Sequence, residues 1–416
     1  MEAIFEKESV MESREARVCQ LKLCDHSKLI PRNNWDYGFK ALFSTLAGVR
    51  KNTSQAPKTE NIFHQNPIWT NSGRTSLYAI LKSLELPAGA KVGVPLFCCS
   101  VVFNAICQAG LSPCFLDSNI DDCNISVEDL RKKRGDLAAI VAVHMFGKPC
   151  DIDAICAIAG SMPVIEDCAQ SIFSTYKGNQ TGLLSTASFF SFRCGKYISA
   201  GEGSAIFCKE LELQKKIERI VNSFESWSAL KMSIDSLLTF VKATLYNRPW
   251  YGLIGYPIGM RLDKKLNLTA KDGFVAGKIA PTYLGLIDGR IDHFQEKINF
   301  QREHAHRLLD AVVPGNFILP SEDKGCLSNW FQFALRFQNT QQRDVMADYL
   351  FNRGIDTSKY LDNIADEAHS NYGYTGDCPN AELLSKTILL VPIHYSLRNS
   401  DIEHIARSIN EGSQII

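Results

Sequence analysis

The chain has no excess of charge of either sign: Lys and Arg together number 45, as do Asp and Glu. Without a basic surplus there is no broad electrostatic footprint for nucleic acid. Zero net charge also leaves little to oppose self-association. No run of about twenty apolar residues occurs, so no membrane span is expected, and no membrane contact. The 14 cysteines lack the usual metal and redox arrangements, with no CxxC pair and no His/Cys cluster at zinc spacing. The opening stretch MEAIFEKESVMESREARVCQ is charged and has no long apolar core, so no secretory leader is expected. The thiols are therefore expected to be reduced, in a cytoplasmic protein, most of them acting as small buried hydrophobes. Internal repeats and low-complexity tracts are also missing.

What is present is an ordinary globular composition, 45% hydrophobic and 22% charged, spread over 416 residues. That length predicts a large domain and a smaller one. Residues 1–60 read as an irregular N-terminal extension, with KNTSQAPKTE at 51–60 as a linker. From residue 74, RTSLYAILKSLEL has helical periodicity and PAGA stops it. Strand and helix then alternate: KVGVPLF, SVVFNAICQAG, SPCFLDS, SVEDLRKKRG capped by Ser126, AAIVAVHMF, DIDAICAIAG and MPVIEDCAQ. The strands are continuous apolar runs, as in a mostly parallel sheet covered by helices on both faces. In such sheets ligands bind beyond the carboxyl ends of the strands, so Asp167 and the loops after Val94 and Val143 matter most. The expected class is α/β, with a large domain over 61–265, a helical insertion at 222–268, and a smaller α+β domain over 266–416. The insertion reads first as helices packed on their own subunit or a partner. A substrate wall or membrane-surface contact is the second reading.

Residues 187–207, ASFFSFRCGKYISAGEGSAIF, place Lys196 beside a Gly-rich turn between two strand-like runs. Desolvation and nearby cations lower a lysine pKa, and a neutral amine can form a Schiff base. An isolated lysine would more often reach solvent or pair with Glu202. Its context points elsewhere. Pyridoxal phosphate (PLP) requires an amine, an acid opposite the pyridine nitrogen, phosphate donors and a flat contact for the ring. Lys196 offers the amine, and Asp167 at a strand end offers the acid. In NSGRTSL, at 71–77, Ser72, Thr75 and the backbone amides precede a helix whose N-terminus suits a phosphate. Arg74 adds a fork of donors.

From about Trp69 to the C-terminus the chain resembles the DegT-type sugar aminotransferases, fold-type-I PLP enzymes. The resemblance is carried by SGRTSL, VGVPLFCCSVVFNAICQAGLSPCFLD, VHMFGKPCDIDAI, and VIEDCAQSIFSTYKG followed by FFSFRCGKYISAGEGSAIF. It implies amino transfer from an amino acid, glutamate by family habit, to a keto-sugar, nucleotide-linked in most members, in sugar and polysaccharide biosynthesis. It further implies a homodimer. Lys196 matches the PLP lysine, Asp167 the pyridine-nitrogen partner, Gln170 the residue near the ring 3-hydroxyl, and Ser191 a phosphate-binding serine. Gly73 and Arg74 match the Gly-Thr of the phosphate turn. His144 lies in the VHxxG loop and reads as a structural histidine.

The departures fall on the same site. Cys99 stands where the family has an aromatic residue that stacks on the ring, with Phe97 two residues away as a substitute. Arg193 stands in place of histidine, and Arg74 in place of threonine. KDGFVA at 271–276 lacks the asparagine that reaches the partner subunit's phosphate. Two alternatives remain: a non-catalytic scaffold or regulator, and a sugar dehydratase. The dehydratase branch carries histidine in place of the lysine, so Lys196 speaks against it.

Overall fold

The computed structural model describes residues 27–51, 66–259 and 273–416. The linker reading at 52–60, the first 26 residues, and the end of the insertion at 260–268 lie outside them. In chain order the elements begin with α1 (Phe39–Lys51), β1 (Ile68–Thr70), α2 (Gly73–Ser83), β2 (Lys91–Pro95), α3 (Val101–Gln108) and β3 (Ser112–Leu116). Next come α4 (Val127–Lys133), β4 (Leu137–Val143), α5 (Ile152–Ala159), β5 (Val164–Asp167), β6 (Thr175–Tyr176) and β7 (Asn179–Gln180). They continue with β8 (Ala187–Ser191), β9 (Ser204–Cys208), α6 (Leu211–Asn222), α7 (Ala229–Leu245) and α8 (Pro281–Ala311). The last are β10 (Phe317–Ile318), β11 (Cys326–Leu327), β12 (Phe333–Phe337), α9 (Thr340–Asn352), α10 (Ile364–Tyr372), α11 (Pro379–Thr387), β13 (Ile388–Val391) and α12 (Asn399–Gly412).

The large sheet has the order β1-β9-β8-β5-β4-β2-β3. Strands β3, β2, β4, β5 and β8 pair in parallel, and β9 runs against both β8 and β1. The apolar strands are buried because helices cover both faces: every residue of β5 is buried, and of β4 only Ala138 is partly open. Local capping fixes where the helices start. Ser126 accepts a hydrogen bond from the Asp129 amide, and Asp151 from that of Ala154. β3 and β4 lie on opposite sides of β2, so the crossover direction reverses there and opens a crevice at the strand ends.

A second sheet, β10-β12-β13, carries α8, α9 and α12 around a separate core that includes Phe333, Leu335, Met346 and Ile405. Helices α10 and α11 belong to neither the expected pattern nor that core. Ile364, Ala368, Ala381 and Leu384 pack into the core of the large sheet.

The N-terminal segment is not irregular throughout. Helix α1 buries Ala41 and Leu42 in the core shared with α7 and α8. Ahead of it, Ile30 pairs with Ile355 of the small sheet's surroundings. Asp36 accepts hydrogen bonds from Lys297 (2.7 Å) and Tyr395 (2.9 Å). Tertiary contacts, rather than propensity, make this segment a strap across both sheets.

Candidate active site

The chain between β8 and β9 folds back on itself. Phe192 N–H donates to Gly203 O at 2.9 Å, Ala200 N–H to Phe192 O at 2.8 Å, and Lys196 N–H to Arg193 O at 3.0 Å. The turn requires its glycines. Gly201 and Gly203 have φ of +97° and +134°, and a Cβ on Gly203 would stand 2.8 Å from Ile279 Cδ1. Arg290 donates to the carbonyls of both Ser199 and Asp36, which ties the lysine loop to α8 and the N-terminal strap.

Lys196 opens onto a cavity of about 350 Å³ at the carboxyl ends of β2, β4, β5 and β8. Among the described residues its Nζ has no hydrogen-bond or ion-pair partner; it lies over the Phe331 ring, 5.0 Å from the centroid. Burial, with Arg193 as a smaller contribution, lowers its pKa below the ordinary lysine value, against the pull of Asp167 and Cys99. Asp167 ends β5 in the same cavity, its Oδ1 accepting from the Ala169 amide at 2.9 Å. Burial pushes the Asp167 carboxyl up, opposed by that hydrogen bond and by the charges of Lys196 and His144.

The structure brings Lys196, Asp167, Gln170, Ser191, Ser72, Gly73, Arg74 and Cys99 to this one cavity. Gln170 Oε1 accepts from the Phe146 amide (3.1 Å), and its Nε2 faces the Tyr360 hydroxyl (3.4 Å). Ser72 caps α2, its Oγ accepting from the Thr75 amide at 3.3 Å. Gly73 lets that turn lie on β8: an added Cβ would stand 3.3 Å from Phe189 Cε2. Arg74 spreads over the Phe274 ring at 5.2 Å. Burial, with Arg193 nearby, lowers its pKa.

Two expected residues lie elsewhere. Thr75 is fully buried, and its hydroxyl donates to Asn71 Oδ1 at 2.6 Å, so it serves the turn and does not face the cavity. Phe97 is also fully buried, edge-on to Phe146 and Tyr360 at 6.1 Å from each. After Pro95 the chain turns so that Cys98 and Cys99 face the cavity while Phe97 enters the core. Phe97 therefore cannot take the place of the stacking aromatic.

Asn71 and Glu202 line the cavity without having been given a site role from the sequence, and Arg193, a departure from the family, joins them. Asn71 anchors the α2 turn to the chain at 275–277: its amide donates to Gly277 O (2.9 Å) and its Nδ2 to Val275 O (3.2 Å). Arg193 and Glu202 both line the cavity, and the Arg193 charge acts on the Glu202 carboxyl. Burial and Asp235 push Glu202 up to about 7, against Arg193, Lys231 and Arg74. A polar residue before an N-cap and charges flanking the lysine were the available signals.

Behind the cavity, Glu166 points to the opposite face of β5 from Asp167. Its carboxylate accepts from the amides of Gly182 (2.8 Å), Leu184 (3.0 Å) and Ser185 (2.9 Å) and pairs with His144 Nε2 (3.1 Å). His144 Nδ1 accepts from the Cys150 amide at 3.1 Å, so this histidine is structural. Burial alone would raise Glu166, but His144 and these amides hold it below 4.5. Its contribution to stability is thus present above that value and lost as pH falls through the lower folded-state pKa. Glu166→Gln turns an acceptor into a donor against this ring of N–H groups. It is expected to cost about 1–3 kcal/mol in urea unfolding at neutral pH, with the gap to wild type narrowing as pH falls well below 4.5. An unchanged unfolding midpoint would remove Glu166 from the stabilising network.

A parallel sheet with a lysine loop, an acidic strand end and a phosphate-sized helix N-terminus defines the fold-type-I aminotransferase class. The family model described as the DegT/DnrJ/EryC1/StrS aminotransferase family matches residues 59–230 and 288–410. A GDP-perosamine synthase of Escherichia coli O157:H7 is 26% identical over 386 residues, covering 90% of this chain and 94% of that protein. A dTDP-4-dehydro-2,3,6-trideoxy-D-glucose 4-aminotransferase of Saccharopolyspora spinosa is 27% identical over 352 residues, covering 82% of each. Among solved structures, the aminotransferase TlmJ of Streptoalloteichus hindustanus superposes with a TM-score of 0.74 at 20% identity, covering 93% of this chain and 99% of its own. The chain belongs to the DegT/DnrJ/EryC1/StrS aminotransferase family.

Proposed function

We propose that this protein holds PLP in the Lys196 cavity and moves an amino group from an amino acid, glutamate by family habit, to a nucleotide-linked keto-sugar. One observation carries the reading. A lysine amine with no partner among the described residues shares a cavity with the buried Asp167 and with the N-terminal turn of α2. The chemistry of this set fits the cofactor: an amine held toward its neutral form, a carboxyl in need of a cation, and a helix N-terminus with Arg74 for a phosphate.

Bound there, PLP supplies a carbonyl for the donor's amine and a ring that takes up the electron pair released at the reacting carbon. The protein's residues do the rest. Asp167 would hold a proton on the ring nitrogen by charge. Lys196 takes the proton from the reacting carbon and returns it at the neighbouring position, as general base and then acid. Ser72, Gly73, Ser191 and Arg74 would hold the phosphate, and Gln170 would lie on the side of the ring hydroxyl. Val102, Val143 and Phe189 give the cavity an apolar wall that keeps water from the reacting atoms. The free thiols among the described residues suit a reducing cytoplasm, and a homodimer is the expected active unit.

Purified protein should absorb in the near-visible with PLP, and borohydride should fix the cofactor on Lys196. A screen of keto-sugar nucleotides with glutamate should release 2-oxoglutarate. No chromophore and no labelled lysine would favour the scaffold reading instead.

Arg74 gives a sharper test. KDGFVA offers no asparagine for a phosphate, and of the cationic side chains lining the cavity Arg74 is the one on the α2 turn. A charge-assisted hydrogen bond contributes roughly 1.5–3 kcal/mol. Arg74→Ala is therefore expected to weaken PLP affinity about ten- to a hundredfold in titrations of cofactor-free protein. Unchanged PLP affinity with a raised KM for the sugar would assign the guanidinium to the substrate's phosphates.

A further inference from the structure

We propose that the outward face of α7, with the segment after it and α1 beside it, docks this protein on the surface of an anionic lipid membrane. Helix α7 turns Met232, Ser236 and Ala243 inward. Its other face presents Leu230, Ile234, Leu237, Leu238 and Val241, each 46–71% exposed. Their spacing of four, three, one and three residues is one continuous helical stripe, turned toward solvent. The next segment repeats the arrangement. Tyr251 and Tyr256 are buried, and Trp250, Leu253, Ile254 and Ile258 stand outside. Beside α7, α1 exposes Phe39 and Phe43, and the Phe39 ring meets Phe240 of α7 at 4.6 Å. Eleven of the twenty exposed large apolar side chains among the described residues lie on these three elements. Single exposed hydrophobes are ordinary; a concentration of this kind marks an interaction surface.

Charge decides the partner. The exposed charged side chains on the described parts of these elements are Lys40, Lys231 and Lys242, all cations. The one acid of α7, Asp235, is half-buried and adds its charge to that of Glu202 in the cavity wall. Arg248 is bound by both oxygens of Asp401. A two-fold contact between copies would find no exposed carboxylate among the described residues of these elements to receive the lysines. Anionic headgroups above an acyl boundary match apolar side chains rimmed by lysine, with a tryptophan at the interface. No helix among the described residues is long and apolar enough to cross a membrane, so α7 would lie on the surface.

The test is flotation of the full chain with vesicles of phosphatidylcholine and phosphatidylglycerol, against phosphatidylcholine alone. Wild type should float with the anionic vesicles and be released as salt rises. Leu237→Asn with Leu238→Asn, and separately Trp250→Ser with Leu253→Asn, should each lower the bound fraction roughly tenfold. Lys40→Glu with Lys242→Glu changes exposed charges outside the cavity and leaves the apolar face in place, and should sharply reduce the preference for anionic lipid. All three should keep wild-type melting and turnover of a soluble substrate. Absence of flotation, or equal binding to both vesicle types, would overturn the proposal. A change of oligomeric state in the Leu237/Leu238 variant, without vesicle binding by wild type, would assign the face to a contact between copies.

Discussion

Lys196→Ala is expected to lower transamination by at least about a thousandfold while leaving the protein folded, with no cofactor fixed by borohydride. The amine is positioned by its loop rather than by a partner of its own. The loop is held by the Phe192–Gly203 and Ala200–Phe192 hydrogen bonds, by Arg290 and by the Tyr197 hydroxyl on Asn329 O. None of these passes through the lysine side chain, so alanine removes the chemistry and keeps the scaffold. Stability should move the other way. Burial lowers the lysine's pKa in the fold, so the unfolded chain binds the extra proton more readily. Cofactor-free wild type should therefore gain stability as pH rises from the lowered folded-state pKa toward the ordinary value of 10.5, and the alanine variant should lack that slope. Urea unfolding across that range reads it directly. Activity within tenfold of wild type would show that another group carries the proton.

The alternation of strand and helix from residue 74 to 167 was legible because each parallel strand is a short apolar run, and each helix has its own cap or stop. What failed to read was held by distant parts of the chain. In α1, FKALFSTLAGVRK, Phe39 and Phe43 are exposed while Ala41, Leu42 and Thr45 are buried, so the sequence carries no clean polar face. Helices α10 and α11 are short and polar, and only Ile364, Ala368, Ala381 and Leu384 tie them to the large sheet. At the site, residue types at the strand ends pointed to the cavity. Side-chain direction did not follow from them: Thr75 turns to Asn71, and Phe97 turns into the core between Phe146 and Tyr360. The pairing of Glu166 with His144 depends on a loop returning at 182–185, which no local pattern announces.

Asp167→Asn is expected to lower turnover at saturating donor by about a hundred- to a thousandfold, with little change in the fold. The carboxyl ends β5 between Val143 and Phe189 in the parallel register, and among the described residues its hydrogen bond comes from the Ala169 amide. Asparagine keeps that acceptor oxygen and nearly the same volume, so packing is preserved. What it removes is a charge in a buried site. Burial raises the wild-type pKa, and only the Ala169 amide and the charges of Lys196 and His144 oppose it. Such a carboxyl stays ionised most readily when a cation faces it, and a protonated ring nitrogen would be that cation. An amide cannot hold the proton by charge, so the negative charge that develops in the transition state loses its electrostatic support. The fall should appear in kcat for both half-reactions, with KM for the donor little altered. In cofactor-free protein the sign reverses for stability. The raised folded-state pKa makes wild type less stable as pH rises through it, and asparagine should erase that loss. Near-wild-type turnover in the variant, with its unfolding free energy independent of pH in that window, would leave Asp167 a role in stability alone.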